Sequence, residues 1–275
     1  MTKSEKYSKL LQEKNLRGDT KSKITYHPQF DIITYDVGDT EHSSVIIPRG
    51  VDYISRYAFA EYDKIKDVFI SEGVIDIDEF AFVNSGIDKV ILPRSLKRIQ
   101  MCAFRESALS SIDLKNVEFL GESCFQHCYN LTELTIPETC KFIGDNLVEA
   151  CDELQRLTFN CNLTNYRGVT ANCRNLEEII FNGNIDFIDN RAFILSIPVN
   201  EISLNRLIFR GNIGCIQRGT FYDTKTIRTI IVSRNVDVNV LKLGLLDRDS
   251  AQYRKDITIL REEPEYSILE MVRLF

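Results

Sequence analysis

Short apolar segments recur along the chain at a nearly constant step. They end at Ile47, Ile70, Leu92, Leu114, Ile136, Phe159, Phe181, Phe209 and Val232. Successive ends lie 22 or 23 residues apart, except for one step of 28 between Phe181 and Phe209. A second apolar anchor follows each segment, at Ile54, Ile77, Ile99, Leu120, Ile143, Leu163, Ile188 and Ile216. A third is an Ala-Phe pair or its substitute: Ala58-Phe59, Ala81-Phe82, Ala103-Phe104, Cys124-Phe125, Leu147-Val148, Ala192-Phe193 and Thr220-Phe221. The stretch 163–173 is degenerate, because Tyr166-Arg167-Gly168-Val169 supplies no such pair, and the long step marks an insertion around 195–205.

A unit of this length cannot bury its own apolar side, so the units must stack and share one continuous core. In LTELTI (131–136) the alternation turns Leu131, Leu134 and Ile136 inward, and in IDKVIL (87–92) it does the same with Ile87, Val90 and Leu92. These read as short strands rich in β-branched residues. Nine of them stacked in parallel at ~4.8 Å per step make a rod roughly 40 Å long. The Ala-Phe stretch is expected to form one helical or 3-10 turn. Its small Ala lets the backbone approach the core, and its Phe fills the space between the ladders.

The stretches CYNLTELTIPETCKFIGDNLVEAC (128–151), ILPRSLKRIQMCAF (91–104) and VIIPRGVDYISRYAF (45–59) carry a resemblance to the BspA-like class of leucine-rich repeat. It covers residues 45–232. It implies a repeat solenoid: a right-handed leucine-rich-repeat stack with a parallel β-sheet of about nine short strands, short helical or 3-10 turns, and N- and C-terminal caps. It also implies a curved scaffold for protein binding, often in secreted or surface-attached adhesion proteins. The chain then divides into an N-terminal tail and cap (1–44), the repeats (45–235) and a C-terminal cap (236–275). In the first cap a β-like run surrounds 30–35. In the last, Ile268, Leu269, Val272 and Phe275 share one side of an expected helix. That stripe covers the open end of the core or docks a second chain; capping, and hence a monomer, is preferred.

Composition narrows the function classes. The chain has 275 residues, 44% hydrophobic and 27% charged, which is globular usage with enough length for a core. The net charge of -6 disfavours nucleic-acid and anionic-membrane binding, which need surplus Lys and Arg. No apolar run reaches the ~18 residues of a spanning helix. The N-terminus as written lacks a secretory signal, so a cytoplasmic location is expected; a longer N-terminus would move it to the cell surface or outside. The lysines of the first 23 residues read as a solvated end, with a basic tail for an anionic partner as the rival reading.

Of the 8 cysteines, Cys128, Cys151 and Cys173 each stand three residues before the Leu that opens a strand, and Cys124 takes an Ala slot. They read as small apolar residues and buried free thiols. Cys102, Cys140, Cys161 and Cys215 show no pairing pattern. Cys124, His127 and Cys128 fall within five residues and offer a remote zinc reading, but no second pair stands at finger spacing. No nucleophile elbow, P-loop, dinucleotide fingerprint or zinc-protease motif is present, and the histidines are only His27, His42 and His127. No enzyme and no cofactor is expected.

What remains is the strand face that points away from the core. Its outer row runs through Phe69, Ile91, Asp113, Thr135, Thr158, Ile180, Ile208 and Ile231, beginning at Ile46. A second row includes Lys89, Glu133, Arg156 and Glu178. Exposed Phe and Ile in a line mark a protein-binding face, although Ile and Thr also simply suit strands. The sequence thus points to a non-enzymatic interaction module with an unidentified protein partner; a surface adhesion protein is the alternative.

Overall fold

The computed structural model describes residues 44–47, 49–193, 203–221, 224, 226–247, 249–250 and 252–262, and in addition the backbone of 23–27, 32–36, 43, 263 and 268–271. The basic N-terminal stretch lies outside these residues, as do His42, most of the insertion and the side chain of His27.

The apolar segments form the expected strands: Ser43–Ile47, Ile65–Ile70, Lys89–Ile91, Ser111–Ile112, Glu133–Ile136, Arg156–Phe159, Glu178–Phe181, Arg206–Phe209 and Thr229–Val232. Each opens one coil of the solenoid. They pair in parallel in repeat register, as in Leu134↔Leu157↔Ile179↔Leu207↔Ile230. The sheet is interrupted once, between Ser111–Ile112 and Glu133–Ile136. Burial alternates as the pattern predicts: in Glu133–Ile136, Leu134 and Ile136 are buried while Glu133 and Thr135 are exposed.

The second anchors build a parallel ladder on another side of the coil: Tyr53–Ile54, Asp76–Ile77, Arg98–Ile99, Phe119–Leu120 and Phe142–Ile143. It resumes as Ile185–Ile188 with Ile213–Ile216. Between the two, only single bridges remain, Leu163↔Ile185 and Tyr166↔Ile188. Tyr166, not Leu163, therefore occupies the slot of Ile188. The reason lies in the arc that follows. Val148 N–H bonds the Val169 carbonyl just as Phe125 N–H bonds that of Leu147, so Val169-Thr170 stands where other coils have Ala-Phe. Thr170 is too small for the Phe slot. The fully buried Tyr166 ring fills the space, edge-on to Phe159 and Phe181 at 5.6 and 4.9 Å and tilted against Phe193 at 5.4 Å.

The Ala-Phe arcs are neither α- nor 3-10-helical. They are chains of turns in which alternate N–H groups bond within the coil (Ala58 to Ser55, 3.1 Å) and to the next coil (Phe59 to Ala81, 2.8 Å; Glu61 to Val83, 2.9 Å). The same cross-coil bonds recur from Phe82 to Ala103, Phe104 to Cys124 and Phe125 to Leu147. To aim its donors this way each of the first six arcs holds left-handed residues on both sides of the pair, such as Tyr57 and Glu61, Phe80 and Asn84, or Ser123 and His127. A left-handed L-residue costs roughly 1–2 kcal/mol; the cross-coil hydrogen bonds and the buried Phe offset that cost.

Cysteines serve the same arcs. The Sγ atoms of Cys128, Cys151 and Cys173 donate to the carbonyls of Phe104, Phe125 and Val148 in the preceding coil, at 3.1, 3.1 and 2.9 Å. Ser107 holds the slot one coil earlier, 3.5 Å from Cys128. Each of these carbonyls also accepts a backbone N–H within its own coil (Ser107 to Phe104, Cys128 to Phe125, Cys151 to Val148), so the thiol adds a second, cross-coil donor. Burial pushes the Cys128 and Cys173 thiols up to about 12 and raises those of Cys124 and Cys151 well above their ordinary value.

At the amino end, the hairpin Lys23–His27 with Ile32–Asp36 adds antiparallel to Ser43–Ile47 and extends the strand face. The carboxyl end departs from the sequence expectation. Ile268–Met271 is not helical; it is a strand antiparallel to Thr258–Glu263, which itself adds in parallel to Thr229–Val232 as a tenth strand. An open edge of unpaired backbone groups favours strand addition over a helix. Val272 and Phe275 lie outside the described residues. The capping helix is instead the run Val240–Leu245. Its Leu243 and Gly244 carbonyls accept the N–H groups of Gly219 and Phe221, standing in for a further arc. Gly244 is required there, since a Cβ would lie 2.7 Å from the Phe221 ring. The buried Arg254 guanidinium donates to the carbonyls of Phe221, Thr224 and Ile227 and pairs with Asp256 at 2.7 Å, completing the closure.

Candidate partner-binding face

The outward row exists as a line of aligned positions: Ile46↔Phe69↔Ile91 on one side of the sheet interruption and Thr135↔Thr158↔Ile180↔Ile208↔Ile231 on the other. Its two ends differ. Phe69 and Ile91 are 40% and 52% exposed, and Asp113 and Thr135 are also exposed. Thr158 and Ile180 are half-buried. Ile208 and Ile231, expected to be exposed, are buried at 7% each. Two features of the carboxyl end account for that. The tenth strand continues the row with Leu260 opposite Ile231. Charged side chains also bridge the coils on both sides of it: Arg206 to Glu178 at 3.1 Å, and Arg210 to Asn182 at 3.1 Å and to Glu262 at 2.9 Å.

The second row is aligned too, as Asp67↔Lys89↔Ser111 and Glu133↔Arg156↔Glu178↔Arg206. From Glu133 onward its charges meet one another. Arg156 bonds Glu133 at 2.9 Å and Glu178 at 3.2 Å, and Arg206 takes the other Glu178 oxygen. Two acids and two bases thus neutralise each other along the stack, so Arg156 and Glu178 are committed within the molecule. Such exposed pairs add little stability each, about 0–1 kcal/mol; their effect is to remove free charge from this half of the face.

The interruption of the sheet opens a groove of about 650 Å³, lined by Lys89, Ile91, Asp113, Lys115, Glu133 and Thr135, among others. Five of the residues expected from the sequence meet here: Lys89, Ile91, Asp113, Glu133 and Thr135. Sequence reasoning left out Lys115, Pro137 and Asn160, which also line it. One further step of the same period-two alternation, past the strand ends, reaches all three.

The zinc reading fails on geometry. Cys124 and Cys128 point into the core and are fully buried. His127, one of the left-handed residues, turns outward, where its Nδ1 and the hydroxyl of the exposed Tyr129 lie 2.9 Å apart. Among the described residues no group of three metal-ligating side chains occurs, and no helix is long and apolar enough to cross a membrane.

Comparison with known proteins completes the picture. The family model described as BspA type leucine rich repeat region matches six copies, over residues 35–154 and 103–228. No curated protein matches the chain. Among solved structures, the Treponema pallidum leucine rich repeat protein is 22% identical with a TM-score of 0.50, over 63% of this chain and 86% of that one. A leucine-rich repeat protein from Bacteroides ovatus is 19% identical with a TM-score of 0.53, over 90% and 79%. At these identities the likeness is one of fold.

Proposed function

The chain belongs to the BspA-type leucine-rich repeat family, and from that premise we propose that it is a non-enzymatic interaction module that holds a protein partner against the amino-terminal half of its strand face. The observation that carries this reading is the groove at the sheet interruption, lined by the exposed apolar Ile91, whose register partner Phe69 is exposed on the next strand. An apolar centre with a polar rim is the make-up of a protein-binding patch. Lys89, Lys115 and Asp113 supply that rim with both charge signs, which suits a protein better than a polyanion. Arg156, Glu178, Ile180, Ile208 and Ile231 drop to a supporting role, because they are paired or partly covered.

The test is capture of partners from the native cell by the wild-type chain and by Phe69→Asp and Ile91→Asp. Phe142→Asp serves as control, being exposed at 51% on the second ladder instead. Specific partners should be lost with the first two variants and kept with the third. Retention of every partner by Phe69→Asp with Ile91→Asp overturns the reading.

A further inference from the structure

The strand-face groove is matched by a second opening, where the ladder of second anchors lapses. A cleft of about 220 Å³ lies there, lined by Cys140, Lys141, Asp145, Cys161, Tyr166 and Arg167, among others. We propose that Cys140 and Cys161 are a modification site for hydroperoxides, oxidised together to a disulfide that ties the fifth coil to the sixth. Neither cysteine belongs to the slot that Cys128, Cys151 and Cys173 share, so the repeat pattern does not account for either.

Three observations converge. The two side chains lie near enough to act on each other's ionisation, while the Cys140 S–H donates to the Phe142 carbonyl at 3.3 Å. They sit on adjacent coils, which stack about 4.8 Å apart; the register Ile136↔Phe159 sets them two residues out of line, so the loop after Pro137 must bring Cys140 to the Cα separation of about 4.4–6.8 Å that a disulfide needs. Both residues line the cleft, and its volume exceeds the ~30 Å³ share of one water several times over, so a peroxide fits. The other close cysteines are more enclosed. Cys128, Cys151 and Cys173 are fully buried and line neither the groove nor the cleft, whereas Cys140 and Cys161 keep 4% and 2% exposure beside the cleft.

The pair is also asymmetric. The Cys140 S–H is held by the Phe142 carbonyl at 3.3 Å, and the contact between the two thiols raises Cys140 and lowers Cys161. Cys161, whose proton is the less firmly held, attacks first. Its thiolate sulfur bonds one oxygen of hydrogen peroxide, the O–O bond breaks, and the departing hydroxide takes up the proton that Cys161 released, leaving as water. This leaves a sulfenic acid on Cys161. The Cys140 sulfur then bonds the Cys161 sulfur, the S–O bond breaks, and that hydroxide leaves as a second water with the Cys140 proton. Two thiols and one peroxide become one disulfide and two waters.

The experiment treats the full-length chain with graded hydrogen peroxide, blocks remaining thiols by alkylation, and maps unreduced peptides by mass spectrometry. Two of the eight thiols should disappear together as a peptide linking Cys140 to Cys161, restored by dithiothreitol. They should react about tenfold or more faster than Cys128, Cys151 and Cys173, as thiolate character and access dictate. In Cys140→Ser, Cys161 should instead accumulate as a sulfenic acid trapped by dimedone. Three outcomes overturn the proposal: Cys161 passing to sulfinic acid while Cys140 stays alkylable, a first linkage among Cys128, Cys151 and Cys173, or oxidation confined to the exposed Cys215.

Discussion

The amino-terminal and carboxyl-terminal halves of the stack fill the same core from opposite sides. In the first half the rings stand in the turn arcs, where Phe59, Phe82, Phe104 and Phe125 stack face to face at 5.1, 5.0 and 5.7 Å. The strand ends opposite them are aliphatic: Ile47, Ile70, Leu92, Leu114 and Ile136. In the second half the rings move to the strand ends, with Phe159, Phe181 and Phe209 stacked at 5.3 and 5.0 Å. There the arcs pass through Val148 and Thr170 before regaining Phe193 and Phe221. A thin coil has volume for a limited number of large rings, and close packing is met whichever corner supplies them. The exchange of corners falls beside both interruptions of the hydrogen-bonded ladders, and the groove and the cleft lie there. Where the packing pattern changes, neighbouring coils match less well and surface opens.

Perturbing each half tests that comparison. The largest effects are expected from Phe125→Ala and Phe181→Ala, each costing about 3–5 kcal/mol in urea unfolding as for other large core truncations. The two sites belong to different ring stacks, so the double variant should be additive to within about 0.5 kcal/mol. A cost below about 1 kcal/mol for either would mean that its ring does not fill the core as described. Tyr166 joins the strand-end rings Phe159 and Phe181 to Phe193 of the later arcs, so Tyr166→Ala should approach the same loss, whereas Tyr166→Phe, which keeps the ring, should stay within about 1.5 kcal/mol. Val148→Phe puts a ring back in the arc of a coil that has no room for it, and overpacking predicts a loss of about 1–3 kcal/mol; a gain would show that the halves are interchangeable at this point.

The smallest effect is electrostatic. Glu118, in the first half, is lowered from 4.5 to about 2 by hydrogen bonds from Lys141 and Lys97. Its folded value lies below its unfolded one, so its contribution is complete above about 4.5 and is lost as pH falls through 2. Glu262, in the second half, is lowered by Arg210 and acts in the same direction. The urea midpoint should therefore decline over that acid range. Lys141→Ala should flatten the part due to Glu118 and leave the part due to Glu262; equal flattening of both would break the separation of the halves.

The strand rows were legible because a period of two needs only the alternation of side chains. The arcs were not. In the first four arcs the left-handed position before the pair holds Tyr57, Phe80, Cys102 and Ser123, none of which signals such a conformation. Asn84, Asn146 and Asn172, with Gly168 and Gly219, are the residue types that do, but they recur too irregularly to mark the arcs, so the apolar spacing there read as helical. Part of the candidate face was also hidden. The burial of Ile208 and Ile231, and the mutual pairing of Glu133, Arg156, Glu178 and Arg206, depend on which residues neighbouring coils bring alongside. The sequence placed these residues in a row without showing which would meet. The contact between Cys140 and Cys161 belongs to the same class.

The sequence by itself determined that this protein is a stack of coils, how many strands it repeats and which way each strand faces. A short unit with three apolar anchors has no other way to bury them. Tertiary structure alone decided how the stack ends, with a tenth strand, a short helix and the buried Arg254 in place of a terminal amphipathic helix. It also decided where the stack opens. Ends and openings are set by backbone groups and cavities that the next coil leaves unfilled, and no local residue pattern records what a neighbour fails to supply.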